Sequence, residues 1–234
     1  MSLMHNGNEF VDMYFDLQQA LPTLHINMTE AFNCRQQWTC NLCFHGSAGQ
    51  SHACMWLEDE ADRWPEEVVA SCLNNYIHTT WEDGGLQNVR SLIAWLDFCG
   101  GQNKNKYLMS FWYYIVHVKK GFESVEHKFP KPSHTYLMCD RDFGILELKT
   151  LKTVAVYDPE FWFNFVELEK SKNPFKVRMM QEKHFVSVSH LNSTRNFRTK
   201  EMHGQLVHLC KAARIILSRK HPREILAIHI IFVY

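Results

Sequence analysis

SLIAWLDFCGGQNKNKYL, residues 91–108, is the stretch on which the fold turns. SLIAWLD is an uninterrupted apolar run closed by an aspartate, the pattern of a strand covered on both faces. The chain then turns through Gly100-Gly101 and re-enters an apolar segment by way of amides and lysines. A strand that ends on a carboxylate and turns toward a helix puts Asp97 at the carboxyl edge of a sheet, where α/β proteins assemble their sites. Gln102, Asn103, Lys104 and Asn105 fall at the helix start, where backbone N–H groups and the helix dipole favour a phosphate oxygen. CGGQNKNK has neither the G-x-x-x-x-G-K-[ST] spacing of a P-loop nor the G-x-G-x-x-G of a dinucleotide fold, so a mononucleotide site is unsupported.

Working outward toward the N-terminus, PEEVVASCLNNYIHT opens on proline and two glutamates and repeats apolar residues at helical spacing through Val68, Val69, Cys72, Leu73 and Tyr76. QQWTCNLCFHG and SHACMWLED read as two strands joined through GSAGQ, a hairpin. FVDMYFDL, carrying Asp12 and Asp16, reads as a first strand stopped by ALPT. In the other direction, KYLMSFWYYIVHV is expected to be a helix apolar nearly all round, ESVEHKF a brief strand, HTYLMCDRDFGILELK a helix despite Gly144, and VAVY a short strand. DPEFWFNFVELEK is the best-signposted helix, with Asp158 as N-cap and Pro159 in the first turn. From Phe175 onward the chain alternates basic and apolar residues in short strand-like pieces, broken at HPRE. The elements divide into an α/β core over residues 8–150 and a helix plus a small basic α+β extension over 151–234.

Composition narrows the chemistry. With 46% hydrophobic residues in 234, the chain can bury a sizeable core. The N-terminal stretch lacks the basic start, apolar run and cleavage site of a secretory signal, and YLMSFWYYIVHV and ILAIHIIFVY fall short of the ~20 residues a bilayer requires. The expectation is a nuclear or cytoplasmic protein, not secreted, with no membrane partner. Eight irregularly spaced cysteines in such a compartment read as free thiols. Cys40-x-x-Cys43-x-His45 with His52-x-Cys54 resembles a zinc site, but alternation along a strand turns Cys40 and Cys43 to opposite faces, so buried small hydrophobes are the favoured reading. The net charge of zero conceals 13 Lys+Arg against 22 Asp+Glu in residues 1–170, and 12 against 3 in residues 171–234. A basic part beside an acidic one suits an enzyme acting on a polyanion, and equally suits two parts that pack against each other.

Asp97 requires partners to hold a metal. Asp16 ends the first apolar run, and the segment after residue 137 supplies Asp140, Asp142 and Glu147. In a helix Asp140 and Glu147 share one face, ~10.5 Å apart along the axis. Carboxylates from two adjacent strands and one helix make a cage for two Mg²⁺ (or Mn²⁺) ions, the hard-cation chemistry of phosphodiester displacement.

Six segments, FDLQQALPT, RQQWTCNLCFHG, EEVVASCL, CGGQNKNKYL, SHTYLMCDRDFGILE and NPFK, occur in an order that resembles an uncharacterised transposase-like domain family of mobile-element proteins. D-x-C-G-G-Q-N-K-N and H-T-x-x-x-x-C-D-R-D-F-G-x-x-E are its most specific parts, and the resemblance covers nearly the whole chain. It implies a ribonuclease-H-like fold: a mixed five-stranded sheet flanked by helices, with one acid on the first strand, one on the fourth and one on a later helix. Carried onto this chain, it implies Asp16, Asp97 and Asp140 as metal ligands, with Glu147 beside them. It places His134 where a phosphate or water is positioned and Arg141 among the nucleic-acid contacts. Ser133 stands where relatives have glycine, and Trp64-Pro65 where they have glycine and a small polar residue. Relatives extend further N-terminally, so a shortened copy is the expectation. The implied function is transposase- or integrase-like cleavage or transfer of DNA strands. The alternative is a degenerate or domesticated copy that binds nucleic acid or protein without catalysis, and homo-oligomerisation is compatible with both. A third reading, a small-molecule α/β enzyme, would require a deep apolar pocket.

Overall fold

The structure, a computed structural model, describes residues 10–23, 37–47, 51–61, 65–97, 103–130, 137–151, 153, 155–170, 173–188, 199–201, 212–220 and 225–229. The strands are β1 (Phe10–Leu17), β2 (Leu21–Thr23), β3 (Gln37–Gly46), β4 (Ser51–Leu57), β5 (Ser91–Trp95), β6 (Ser124–Lys128), β7 (Lys176–Met179), β8 (Thr199–Glu201), β9 (Ala212–Ser218) and β10 (Ile225–His229). Helices α1 (Pro65–Glu82), α2 (Lys106–Tyr113), α3 (Met138–Thr150) and α4 (Glu160–Leu168) flank them. All described strands join one ten-stranded mixed sheet in the order β7-β4-β3-β1-β5-β6-β9-β10-β8, with β2 on β3. β1, β3 and β4 form an antiparallel meander, and β5 and β6 run parallel to β1.

Alternation along the strands builds two cores. Met13, Phe15, Leu42, Phe44, Leu92, Ala94, Leu96 and Val125 face one side, where α1 and α2 cover them. α1 contributes Val68, Val69, Cys72, Leu73, Tyr76 and Ile77, the stripe its periodicity foretells. α2 starts where Asn105 Oδ1 accepts the Leu108 N–H at 2.8 Å, and it runs into a π-helical turn at Tyr114–Val118. On the other side Leu21, Cys43, Ala53 and Met55 meet Cys139, Phe143 and Leu146 of α3 and Trp162, Phe163 and Val166 of α4. Gly144 is tolerated within α3 because a Cβ there would meet nothing within 4 Å. Cys40 packs against the first core and Cys43 lies in the second, the opposite facing that alternation requires.

Three expectations need revision. SLIAWLD is covered on one face only: Leu92, Ala94 and Leu96 are buried, whereas Ser91, Ile93 and Trp95 are half-buried. An apolar run does not reveal that, among the described residues, neither core takes in its second face. VAVY contributes a single bridge residue, Val156, among its described positions. In DPEFWFNFVELEK the Asp158 carboxylate does accept a backbone bond, from Glu160 N–H at 2.9 Å, while α4 itself begins two residues later.

The basic C-terminal strands extend the sheet rather than forming a layer of their own. β7 pairs with β4 at one end and β9 pairs with β6 toward the other, covering edges that the core strands would otherwise expose. Among the described residues no helix is long and apolar enough to cross a membrane.

Candidate active site at the carboxyl edge of the sheet

β1 and β5 lie side by side in parallel, with Tyr14 opposite Trp95. Two residues further on, the period of two brings Asp16 and Asp97 opposite each other on that same face. The chain past β5 still follows the sheet, because Leu96 N–H donates to Lys128 C=O at 3.2 Å. Asp16 is half-buried and its Oδ1 accepts its neighbour's Leu17 N–H at 2.8 Å. Burial raises its carboxyl first and the charge of Asp97 second; the Leu17 N–H pulls the other way and the charge of Asp140 adds to the rise, leaving it at about 7. The charges of Asp97 and Asp140 therefore both bear on Asp16.

They are held differently. Asp140 is the third residue of α3, and its Oδ2 accepts the Leu137 N–H at 2.6 Å, closing the first turn of its own helix. Asp97 Oδ1 accepts the side-chain amide of Asn103. Asn103 is only 4% exposed and Lys104 6%, and the Lys104 ammonium lies 4.2 Å from the centroid of the Phe129 ring. Instead of projecting from the helix start, Asn103 turns back to Asp97 and Lys104 packs over Phe129, while Asn105 caps α2. Arg141 and Glu147 are exposed on α3. Gln102 and His134 lie outside the described residues. Among the described residues no three or more His, Cys, Asp or Glu side chains stand grouped to hold a metal ion.

Asp142, weighed in the sequence as a third acid, belongs to a different structure. It is fully buried, and Ser51 Oγ donates to its Oδ2 at 2.5 Å. Lys170 pairs with its Oδ1, and His45 Nδ1 lies 3.1 Å from its Oδ2. Burial alone would raise this carboxyl, but the hydrogen bonds from His45, Lys170 and Ser51, together with the Lys170 charge, bring it to about 2. The cluster ties α3 to β3, β4 and the segment after α4. No local motif announces it, since its four members come from four segments spread between residues 45 and 170.

A cavity of about 270 Å³, lined among others by Val11, Gly46, His52, Tyr76 and Lys176, opens at the other end of β1 from Asp16. It is smaller than the pockets that usually enclose a small-molecule substrate.

Residues 43–214 match the family model described as "Domain of unknown function (DUF7869)", and the chain belongs to that family. The matched span holds Asp97 and Asp140 and begins after Asp16. No curated protein and no solved structure matches the chain.

Proposed function

We propose that this member of the family is a ribonuclease-H-like nuclease or strand-transfer domain, transposase-like in type, acting on nucleic-acid phosphodiesters, with DNA the expected substrate. The observation that carries the reading is the register: Tyr14 of β1 pairs with Trp95 of β5 in parallel, so Asp16 near the end of β1 and Asp97 two residues past β5 follow on one face, and the charge of Asp140 of the later helix bears on Asp16. The meander β1-β3-β4 with parallel β5 and β6 also supports it, because it supplies a mixed five-strand core with one acid near the end of its first strand and one just past its fourth.

The residues fit a divalent cation in their chemistry. All three donors are hard carboxylate oxygens, and the charges that act on Asp16 from Asp97 and Asp140 are uniformly negative. Mg²⁺ or Mn²⁺, two ions in the expected arrangement, supplies Lewis acidity toward phosphodiester oxygens when bound. Asp16 and Asp97 would hold it from the strands. Asn103 fixes the direction of the Asp97 carboxylate, and Asp140 would contribute on exchanging its bond to Leu137 N–H.

That bond favours a second reading, a non-catalytic copy, because it commits Asp140 to its own helix. Metal titration separates the two. Under the first reading, Mg²⁺ or Mn²⁺ raises the melting temperature of the wild type, by the equivalent of about 2.7 kcal/mol at one hundred times Kd, and Asp97→Asn abolishes the shift. A wild type whose melting temperature ignores both ions is the non-catalytic copy.

A further inference from the structure

One register row crosses four strands immediately behind the acidic rim. Tyr14 of β1 is opposite Trp95 of β5, Trp95 is opposite Lys128 of β6, and Lys128 is opposite Arg214 of β9. The row lies two residues, about 7 Å, from the Asp16–Asp97 pair and on the same face. Its aromatic end is stacked and hydrogen-bonded: the Tyr14 and Trp95 rings are 11° from parallel with centroids 6.2 Å apart, and Trp95 Nε1 donates to Asp12 Oδ1 at 2.8 Å. Its basic end is held from below. Glu126 Oε1 is 3.2 Å from Lys128 Nζ and also pairs with Arg214 Nε, and Lys128 Nζ lies 4.8 Å from the centre of the Trp95 ring.

Several features separate this row from an ordinary surface ion pair. One carboxylate serves two cations, so the group keeps a net positive charge. The carboxylate is the covered member, with its side chain 15% exposed against 25% for Lys128 and 42% for Arg214, so the positive ends are the ones offered to solvent. Arg214 Nε is ion-paired with Glu126 without a hydrogen bond between them, and the two terminal nitrogens of the guanidinium carry four N–H donors. Among the described residues Trp95 belongs to neither apolar core and touches the second only through Tyr14, although it is a large apolar side chain at the centre of the sheet.

We infer that Lys128 and Arg214, braced by Glu126 and flanked by Trp95 and Tyr14, form the seat for the phosphodiester backbone of a nucleic-acid strand running from the acidic rim across β5, β6 and β9. The inference rests on the proposed nuclease reading and names where that substrate lies. Lys128 and Arg214 contact phosphate oxygens, which makes their contribution independent of base sequence and strongly dependent on salt. Trp95 offers its edge beside the sugar and base of the same strand. Glu126 is a positioning residue: it holds both cations in the row, and its own charge opposes the phosphate that they attract.

The test is binding without metal, in EDTA, so that the acidic rim contributes nothing favourable. Fluorescence anisotropy follows a labelled single-stranded oligodeoxynucleotide, and its RNA counterpart, across a salt series, with inorganic phosphate as competitor. Lys128→Met combined with Arg214→Gln is expected to weaken binding on the order of tenfold and to flatten the salt slope by about 1.4, which is two lost contacts on a single strand. Lys128→Arg should retain the wild-type slope. Lys119→Met, a change of an exposed lysine beyond α2, should leave binding unaltered. Glu126→Gln should move it the other way and tighten it several-fold at low salt, an effect that a merely structural ion pair does not produce. Inorganic phosphate that displaces the oligonucleotide at millimolar concentration would reduce the row to a free-anion site and overturn the strand assignment. An unchanged slope in the folded double variant, or a wild type that does not bind in EDTA, overturns the seat itself. Neither result touches the Mg²⁺ stabilisation that tests the rim, so the two failures are distinguishable.

Discussion

Asp16 and Asp142 are both withdrawn from water, both lie within reach of α3, and they sit at opposite ends of what a carboxyl group can do. Asp142 has a lysine, a serine hydroxyl and a histidine around it, and its carboxyl stands at about 2. Asp16 has one backbone N–H and two further carboxylates, and stands at about 7. Burial opposes ionisation at both sites, so the difference comes from the partners. A carboxylate that the fold has compensated holds structure together. One placed among its own kind in a half-buried rim opposes the folded state until something positive arrives, the usual mark of a site built for a ligand.

Breaking the compensated site should have the largest effect. Lys170→Met leaves Asp142 buried without its cation, at a cost of about 3–5 kcal/mol. In a chain of this size that lowers the melting temperature on the order of 10 °C. Adding Asp142→Asn in the same chain should recover part of the loss, because the uncompensated charge goes with it. Equilibrium urea unfolding of the three proteins measures both steps. A loss below about 1 kcal/mol would place Asp142 with ordinary surface pairs and dissolve the contrast.

The uncompensated site should respond with the opposite sign. Unfolded, Asp16 gives up its proton near the ordinary 3.8; folded, it keeps it until about pH 7. Between these values the folded state binds the extra proton, so this group's contribution to stability falls as the pH rises through the window and is level above it. Asp16→Asn removes that dependence. In metal-free buffer the variant should match the wild type near pH 3 and exceed it at pH 8. The ceiling is about 4 kcal/mol, and about 2 kcal/mol is expected because water reaches the rim and screens the repulsion. Melting curves of the two proteins across that range decide it; a variant less stable than the wild type at pH 8 would mean that the Asp16 carboxylate is compensated after all.

The rim comes from alternation and the Asp142 cluster from long-range contacts, and that is why one was legible in the sequence and the other was not. Asp16 and Asp97 each close an apolar run, and a period of two fixes the face on which each falls once the strands are known to be neighbours. The hairpin was readable on the same terms, and α1 on the helical spacing of its apolar residues. What a single sequence does not carry is which strand stands beside which when the partners are far apart. β9 meets β6 and β7 meets β4 across long intervals, so the C-terminal pieces read as an extension although they complete the sheet. The Asp142 cluster is hidden for the same reason, since Ser51 and Lys170 meet it from 91 and 28 residues away. Lys104 shows a further limit: four polar residues after a Gly-Gly turn look solvent-facing, yet the aromatic ring of Phe129 gives the lysine stem and its charge somewhere to pack.

The smallest effect is expected where the two kinds of site meet, at Asn103. Its amide is a neutral donor supplied to the rim, and it reaches Asp97 from a position only 4% exposed. Asn103→Leu keeps the bulk and removes the N–H. A hydrogen bond to a charged acceptor contributes more than a neutral one, but Asp97 is half-buried at an open edge where water can take the donor's place, so the loss should be about 1 kcal/mol. Metal makes the measurement informative. If Asn103 serves to aim Asp97, saturating Mn²⁺ should narrow the stability gap between variant and wild type, because a cation then satisfies the oxygen that the amide had satisfied. The variant should also require more Mn²⁺ for half of its full stabilisation, since its Asp97 is no longer held in one direction. A gap that Mn²⁺ leaves unchanged, with the same midpoint in both proteins, would make Asn103 a packing residue at the entry to α2.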